Sequence, residues 1–242
     1  MKNAFKSSRR TFLKSSGLVI ALALPAVQRL AHAATAAEFR PSTYLHIGAD
    51  DRVVVVVGVS EMGQGVHTAI PMILAEELDA DWTHVRVEQG PVDAAFENPM
   101  YHIQATGAST TVNGHWDSMR KAGAAAREML VAAAAQSWAV DSSECRTEKG
   151  AVVHLSGKRL SYGKLVEAAS RQPVPKEPKL KDASQFKIIG QGLRNLDTPE
   201  KVDGSGKFGM DVRLPGMLTA VIAHPPAPGA SPCQSTTARR GR

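Results

Sequence analysis

The chain holds only two cysteines, Cys145 and Cys233, among 242 residues. Two are too few for a disulfide framework, and neither has the neighbours of a metal-ligand set. One bridge between them is compatible with an oxidising compartment, but nothing in the spacing requires it. Long hydrophobic runs are also missing. The apolar stretch at 17–27 is eleven residues, short of the roughly 20 that cross a bilayer as a helix. No internal repeat recurs. Seven of the eight histidines, His46, His67, His84, His102, His115, His154 and His224, lack metal-ligand spacing and read as surface or core residues.

Charge of one sign is lacking once its source is found. The net charge of +6 suggests nucleic acid or a membrane surface. The first 33 residues, however, carry Lys2, Lys6, Arg9, Arg10, Lys14 and Arg29 and no acid. Without those six, 23 basic residues face 23 acidic ones. No positive stripe remains, and nucleic-acid binding loses its support. What the leader holds instead is Ser8-Arg9-Arg10-Thr11-Phe12-Leu13-Lys14, then the short apolar run, then Ala31-His32-Ala33. That order predicts a twin-arginine export signal over 1–33, either cut after the small-x-small site or kept as an anchor. The expected location is the periplasm or the periplasmic face of the inner membrane.

The exported part predicts an α+β fold with a mixed sheet and packed helices. Residues 44–48 and 52–59 are β-branched runs around Ala49-Asp50-Asp51 and read as a hairpin. The five valines at 53–57 suit a strand buried on both faces. A glycine-rich break follows, then a helical stretch to Leu78 in which Pro71 implies a kink or a late start. Val85 and Val87 alternate with Arg86 and Glu88 as in a half-buried strand. Val112, Trp116, Met119, Gly123, Ala126, Leu130 and Ala133 recur every three or four residues, predicting a long helix whose small inner face admits a close neighbour. Trp116 and Trp138 read as packing residues. Glu76, Glu77 and Asp79 read as a solvated helix face.

These elements define a block at 44–140, a small hairpin-helix unit at 150–172 and a Pro-rich linker at 173–200. Strand-like segments at 208–212 and 218–223 lie in a further stretch at 201–226. The tail at 227–242 has neither period nor core. It fits a disordered end or, the preferred reading, a broken reading frame.

Two loops carry the candidate chemistry. In Glu61-Met62-Gly63-Gln64-Gly65-Val66-His67-Thr68, Gly63 and Gly65 permit positive φ and close approach of a ligand, and Gln64 offers an amide N–H. In Thr106-Gly107-Ala108-Ser109-Thr110-Thr111, backbone N–H groups and hydroxyls converge on a helix N-terminus, which suits a phosphate. A dinucleotide fingerprint is the nearest rival, but the place of its third glycine is Thr68, and Pro71 interrupts the expected helix.

Beyond these loops, Ala75-Glu76-Glu77-Leu78-Asp79-Ala80-Asp81-Trp82, Asn98-Pro99, Ala122-Gly123-Ala124-Ala125-Ala126-Arg127 and Asp211-Val212-Arg213-Leu214-Pro215-Gly216-Met217 keep a familiar order. Over 44–226 the chain closely resembles the front of the large, molybdopterin-binding subunits of the isoquinoline 1-oxidoreductase type, in the xanthine oxidase superfamily of molybdenum hydroxylases. The resemblance implies a molybdenum–molybdopterin cytosine dinucleotide cofactor and a small partner subunit with [2Fe–2S] clusters. It also implies a small-molecule substrate, an N-heterocycle or an aldehyde, hydroxylated with water-derived oxygen, and a membrane-associated electron acceptor. By the same likeness Gln64 faces an oxo ligand of molybdenum, Gly63 and Gly65 shape its loop, and Gly107, Ala108, Ser109 and Thr110 line the pterin and its phosphates. Residues from 201 resemble the start of a hammerhead-like α/β domain. The family's general-base glutamate lies in a later part with no counterpart here, so no catalytic residue and no metal ligand is expected in this chain. The chain is expected to be a fragment inactive alone; the alternative is an exported binding or assembly module that keeps the fold without the chemistry.

Overall fold

The computed structural model describes residues 38–222, with His224 and Gly229. The leader, Cys233 and the tail other than Gly229 lie outside these residues. The described residues fall into two compact units that divide between Pro199 and Glu200.

The first unit is built on a four-stranded sheet in the order β1 (Glu38–Ser42), β2 (Leu45–Gly48), β3 (Val53–Val57), β4 (Val85–Gln89). The expected hairpin forms: β2 and β3 pair antiparallel with His46 opposite Val54. The valine strand is central, with Val53 and Val55 fully covered. β3 and β4 run parallel, Val55 opposite Val87. A parallel pair needs a crossover, and α1 (Val66–Leu78) supplies it.

The start of α1 removes one of the two alternatives for Pro71, the late start. The helix begins at Val66, directly after Gly65, with Pro71 inside it. Proline costs the His67 carbonyl its helical donor, but Pro71 is buried among the core side chains of α1. The continuity objection to a dinucleotide motif therefore falls, and the missing third glycine alone excludes it.

The 28-residue helix α2 (Thr111–Trp138) lies on α1. Its inner face is the predicted one from Met119 to Ala133, whereas Val112 is exposed. Gly123 allows the close approach: a Cβ there would overlap the Leu74 carbonyl oxygen. Strands β5 (Cys145–Glu148), β6 (Ala151–His154) and β7 (Arg159–Ser161) form a second, antiparallel sheet, followed by α3 (Tyr162–Ala169). Val152, Tyr162 and Leu165 join Phe39, Ile47, Leu74 and Leu130 in one core. The fully buried Tyr162 hydroxyl donates to the Leu78 carbonyl at 2.5 Å, tying α3 to the end of α1. Trp116 packs edge-on to Phe186 and Trp138 packs on His154.

The acidic run on α1 departs most from expectation. Glu76 and Glu77 are 1% and 0% exposed. They are not a solvated face, because the stretch expected as a linker runs across them and supplies partners. Lys181, Lys187, Ile188 and Ile189 bond to Glu76, while Arg120, Arg127 and Lys181 bond to Glu77.

A short helix, α4 (Thr198–Asp203), opens the last stretch. Among the described residues of the second unit no strand forms. Residues 208–212 contain a 3-10 turn (Gly209–Asp211), and 218–222 are irregular and exposed. Strand-like composition cannot become a strand without a neighbouring ladder for its N–H and C=O groups.

Candidate functional site

Both loops emerge at the carboxyl ends of the parallel pair, where α/β folds commonly bind ligands. The chain after β3 enters the 58–65 loop. The chain after β4 passes a 3-10 turn (Ala94–Phe96) and returns at 104–110. Side chains stitch the two together. Gln104 Nε2 donates to the Gly58 carbonyl at 2.8 Å and to the Pro91 carbonyl at 3.0 Å. The Ser60 N–H donates to Thr106 Oγ1 at 2.9 Å.

In the first loop Gly63 and Gly65 have φ of 98° and 81°, the left-handed region that favours glycine. Their N–H groups converge on a residue the sequence reading passed over. Glu61 Oε1 accepts from Gly63 N at 2.7 Å and Gly65 N at 3.0 Å, and Oε2 accepts from His67 N at 3.0 Å. This carboxylate fills the amide nest at the start of α1, where the helix dipole favours negative charge. The sequence signal was available: an acid two residues before a Gly-x-Gly that opens a helix. Gln64 curls back onto its own loop. Its Oε1 accepts from Met62 N at 2.6 Å and its Nε2 donates to the Ser60 carbonyl at 2.9 Å.

The second loop is left open. Ala108 and Ser109 have φ of 50° and 55°, a conformation costing roughly 1–2 kcal/mol for a residue with a Cβ. Thr110 is the N-cap of α2, but no side chain caps the helix. The Thr110 hydroxyl turns inward, donating to the Gly107 carbonyl at 3.0 Å and accepting from Asn98 Nδ2 at 3.0 Å. Asn98, 1% exposed, also accepts from Met100 N at 2.9 Å and thereby ties the chain after β4 to this turn. Sequence reading noted Asn98 only as part of a motif. Gly107, Ala108 and Ser109 are exposed, and a Cβ added at Gly107 or Gly63 would meet nothing within 4 Å. The seven predicted residues thus form two adjoining loops, one whose amides Glu61 holds and one whose Gly107, Ala108 and Ser109 are exposed.

Beside the first loop, Glu61, His67 and Asp197 bring one potential ligand atom each within 4.8 Å of one another. His67 Nε2 lies 3.3 Å from the Val59 carbonyl. The sequence hid this grouping because Asp197 is far along the chain. Among the described residues no helix is long and apolar enough to cross a membrane.

Fold and loops together define an α+β cofactor-binding module. The chain belongs to the molybdopterin cofactor-binding domain family, whose model matches residues 2–210. The beta subunit of isoquinoline 1-oxidoreductase from Brevundimonas diminuta is 34% identical over a 267-residue alignment covering 93% of this chain and 34% of that protein. The membrane-bound aldehyde dehydrogenase [pyrroloquinoline-quinone] of Gluconacetobacter polyoxogenes is 33% identical over 195 residues, 78% of this chain and 24% of that one. Among solved structures, quinoline 2-oxidoreductase from Pseudomonas putida 86 aligns with a TM-score of 0.42 and 22% identity, covering 53% of this chain and 16% of that one. That likeness is too loose to place individual residues. The chain spans about a third of the length of the isoquinoline relative and a quarter of the aldehyde relative.

Proposed function

We propose that this chain contributes one wall of a molybdenum–molybdopterin cytosine dinucleotide site in an exported hydroxylase. The hydroxylase acts on an N-heterocyclic or aldehyde carbon and works with a small [2Fe–2S] subunit and a membrane-associated acceptor. The observation that carries the reading is the uncapped start of α2 beside the glycine loop, in a chain of the molybdopterin-binding family. When bound, the cofactor supplies the oxidation of the substrate carbon; the residues of this chain bind and orient it.

The donor set fits such a group. The exposed 107–109 turn and the first N–H groups of α2 suit a phosphate or the polar edge of a pterin, at roughly 0.3–1 kcal/mol per charge held. The first loop does not offer its amides, since Glu61 holds them; it presents Gln64 instead. To reach outward, Gln64 gives up two loop hydrogen bonds of about 0.5–1.5 kcal/mol each. Two loops are far short of the roughly 8 kcal/mol that micromolar retention requires. Further walls come from other polypeptide, and this chain alone is not expected to turn over substrate.

The test is expression with the rest of the isoquinoline relative's beta subunit appended, together with the small partner subunit, in a host that makes the cytosine dinucleotide cofactor, with molybdenum and pterin measured after purification. Retention that falls when Gly107 is changed to Asp, which sets a negative charge at the α2 start, supports the reading. Equal retention in both proteins overturns it.

A further inference from the structure

Residues 179–197 contain almost no regular structure, only a 3-10 turn (Ala183–Gln185). The backbone N–H groups of Lys181, Lys187, Ile188, Ile189 and Leu196 find partners instead on side chains of α1. At the C-terminal end of that helix, Glu76 Oε2 accepts from three successive amides, Lys187 at 2.8 Å, Ile188 at 2.6 Å and Ile189 at 3.0 Å. Lys181 Nζ donates to the Glu76 carbonyl at 2.5 Å and to Asp79 Oδ1 at 2.7 Å. Lys181 N donates to Glu77 Oε2 at 3.0 Å, while Arg120 and Arg127 of α2 hold both Glu77 and the carbonyls of Lys181 and Lys179. Phe186 lies under the Arg120 guanidinium, 5.4 Å from it.

The same segment ends at the other end of α1. The Leu196 N–H donates to Oγ1 of the buried Thr68 at 2.9 Å. Asn195 Oδ1 comes within 3.8 Å of the position a Cβ on Gly65 would occupy. Asp197 stands beside Glu61 and His67. Ten residues of helix separate Glu76 from Val66, about 15 Å at 1.5 Å per residue. One strap therefore spans α1, latched to buried carboxylates at one end and resting on the glycine loop at the other.

We propose that Glu76 and Glu77 are positioning residues for the 61–67 loop, acting at a distance by fixing a strap whose far end, Asn195–Asp197, braces that loop. The strap has no ladder of its own, so its placement depends on the latch and on the Thr68 clasp. Opening the latch loosens the whole segment, including the brace. The proposal rests on the reading of 61–67 as part of the cofactor site for its consequence alone. The coupling itself is read without cofactor, so either statement can fail separately.

The experiment is hydrogen exchange by mass spectrometry on the full chain, comparing wild type with Glu76→Gln, Thr68→Val and Thr68→Ser. Wild type is expected to protect 187–189 and 196, whose N–H groups are hydrogen-bonded. Glu76→Gln is expected to speed exchange at 187–189 by about ten- to a hundredfold, with acceleration at 196 and at 63–67 as well. Thr68→Val, which keeps the shape but loses the acceptor, is expected to release 196 and 63–67 while 187–189 stay protected. Thr68→Ser restores the wild-type pattern. Release confined to 187–189 in Glu76→Gln, or unchanged 63–67 exchange in Thr68→Val, overturns the proposal. If Glu76→Gln unfolds α2 as well, the two Thr68 variants decide the question.

Discussion

Glu77, which has no solvent exposure, holds its carboxylate 2.6 Å from the Arg120 guanidinium of the neighbouring helix, and Arg127 bonds its other oxygen at 3.2 Å. Both arginines are about 15% exposed, so the cluster is largely shielded from water. Removing one partner of such a buried cluster strands the others. Glu77→Ala is expected to destabilise the chain by about 3–5 kcal/mol. Breaking the exposed Glu167–Arg171 pair with Arg171→Ala should cost less than about 1 kcal/mol. Urea denaturation of both variants checks the contrast. Similar losses in the two would mean that burial does not set the strength of the Glu77 cluster.

The pH dependence should carry the mark of Glu76. Burial alone raises its carboxyl, but the N–H groups of Ile188, Ile189 and Lys187 and the Lys181 ammonium outweigh this and hold it below the ordinary carboxylate value of 4.5. Asp79 and Lys187 are the other charged groups on that side, and Glu77, Arg120 and Arg127 adjoin it. A lowered folded value means that the unfolded chain takes up the proton first. The contribution is complete above pH 4.5 and is lost as pH falls through the folded value. Glu76→Gln should therefore be less stable than wild type at neutral pH, with the gap narrowing below pH 4.5. A gap that stays constant on acidification would count against Glu76 as the group responsible.

Gly123→Ala should destabilise the protein although alanine is the better helix former by roughly 0.5–1 kcal/mol. The new methyl would overlap the Leu74 carbonyl oxygen and press on Glu77 Cβ at 2.9 Å, and backbone cannot swing aside as a side-chain tip can. A net loss of about 1–3 kcal/mol is expected for such overpacking. A higher melting temperature for the variant would show that α1 and α2 can separate without penalty.

Glu61→Ala leaves the N–H groups of Gly63, Gly65 and His67 without their carboxylate. Losing this charged acceptor is expected to cost about 1–3 kcal/mol and to open an anion site at the start of α1. Thermal denaturation with and without inorganic phosphate separates the effects: the variant should gain more from phosphate than wild type. Equal phosphate responses would mean that Glu61 does not occupy the nest.

The export assignment is checked by changing Arg9 and Arg10 together to lysine. Fractionation with an antibody should find the variant in the cytoplasm and the parent in the periplasm. Equal periplasmic delivery of both would remove the twin-arginine reading.

Much of the architecture was legible because it is written in short-range patterns. Five successive valines make a central strand wherever a sheet forms, the small stripe from Met119 to Ala133 marks a helix face, and Gly63 and Gly65 announce positive φ. None of these depends on a distant partner. The resemblance to molybdopterin-binding subunits was legible for a similar reason: the motifs keep their order along the chain, and the family match bears it out. The tertiary structure alone decided the fate of the charges. Glu76, Glu77 and Asp79 have the composition of a wet helix face, and what covers them is Arg120 and Arg127 of α2 together with Lys181 and the amides of 187–189, the latter more than a hundred residues further on. Glu61 fills the amide nest of the Gly63–Gly65 loop, and the strand-like residues after 208 formed no strand among those described. A charge is stable inside a protein only when its hydrogen bonds are supplied there, and a strand only when a neighbour completes its ladder. Local sequence names the group that needs a partner; only the folded chain brings the partner to it.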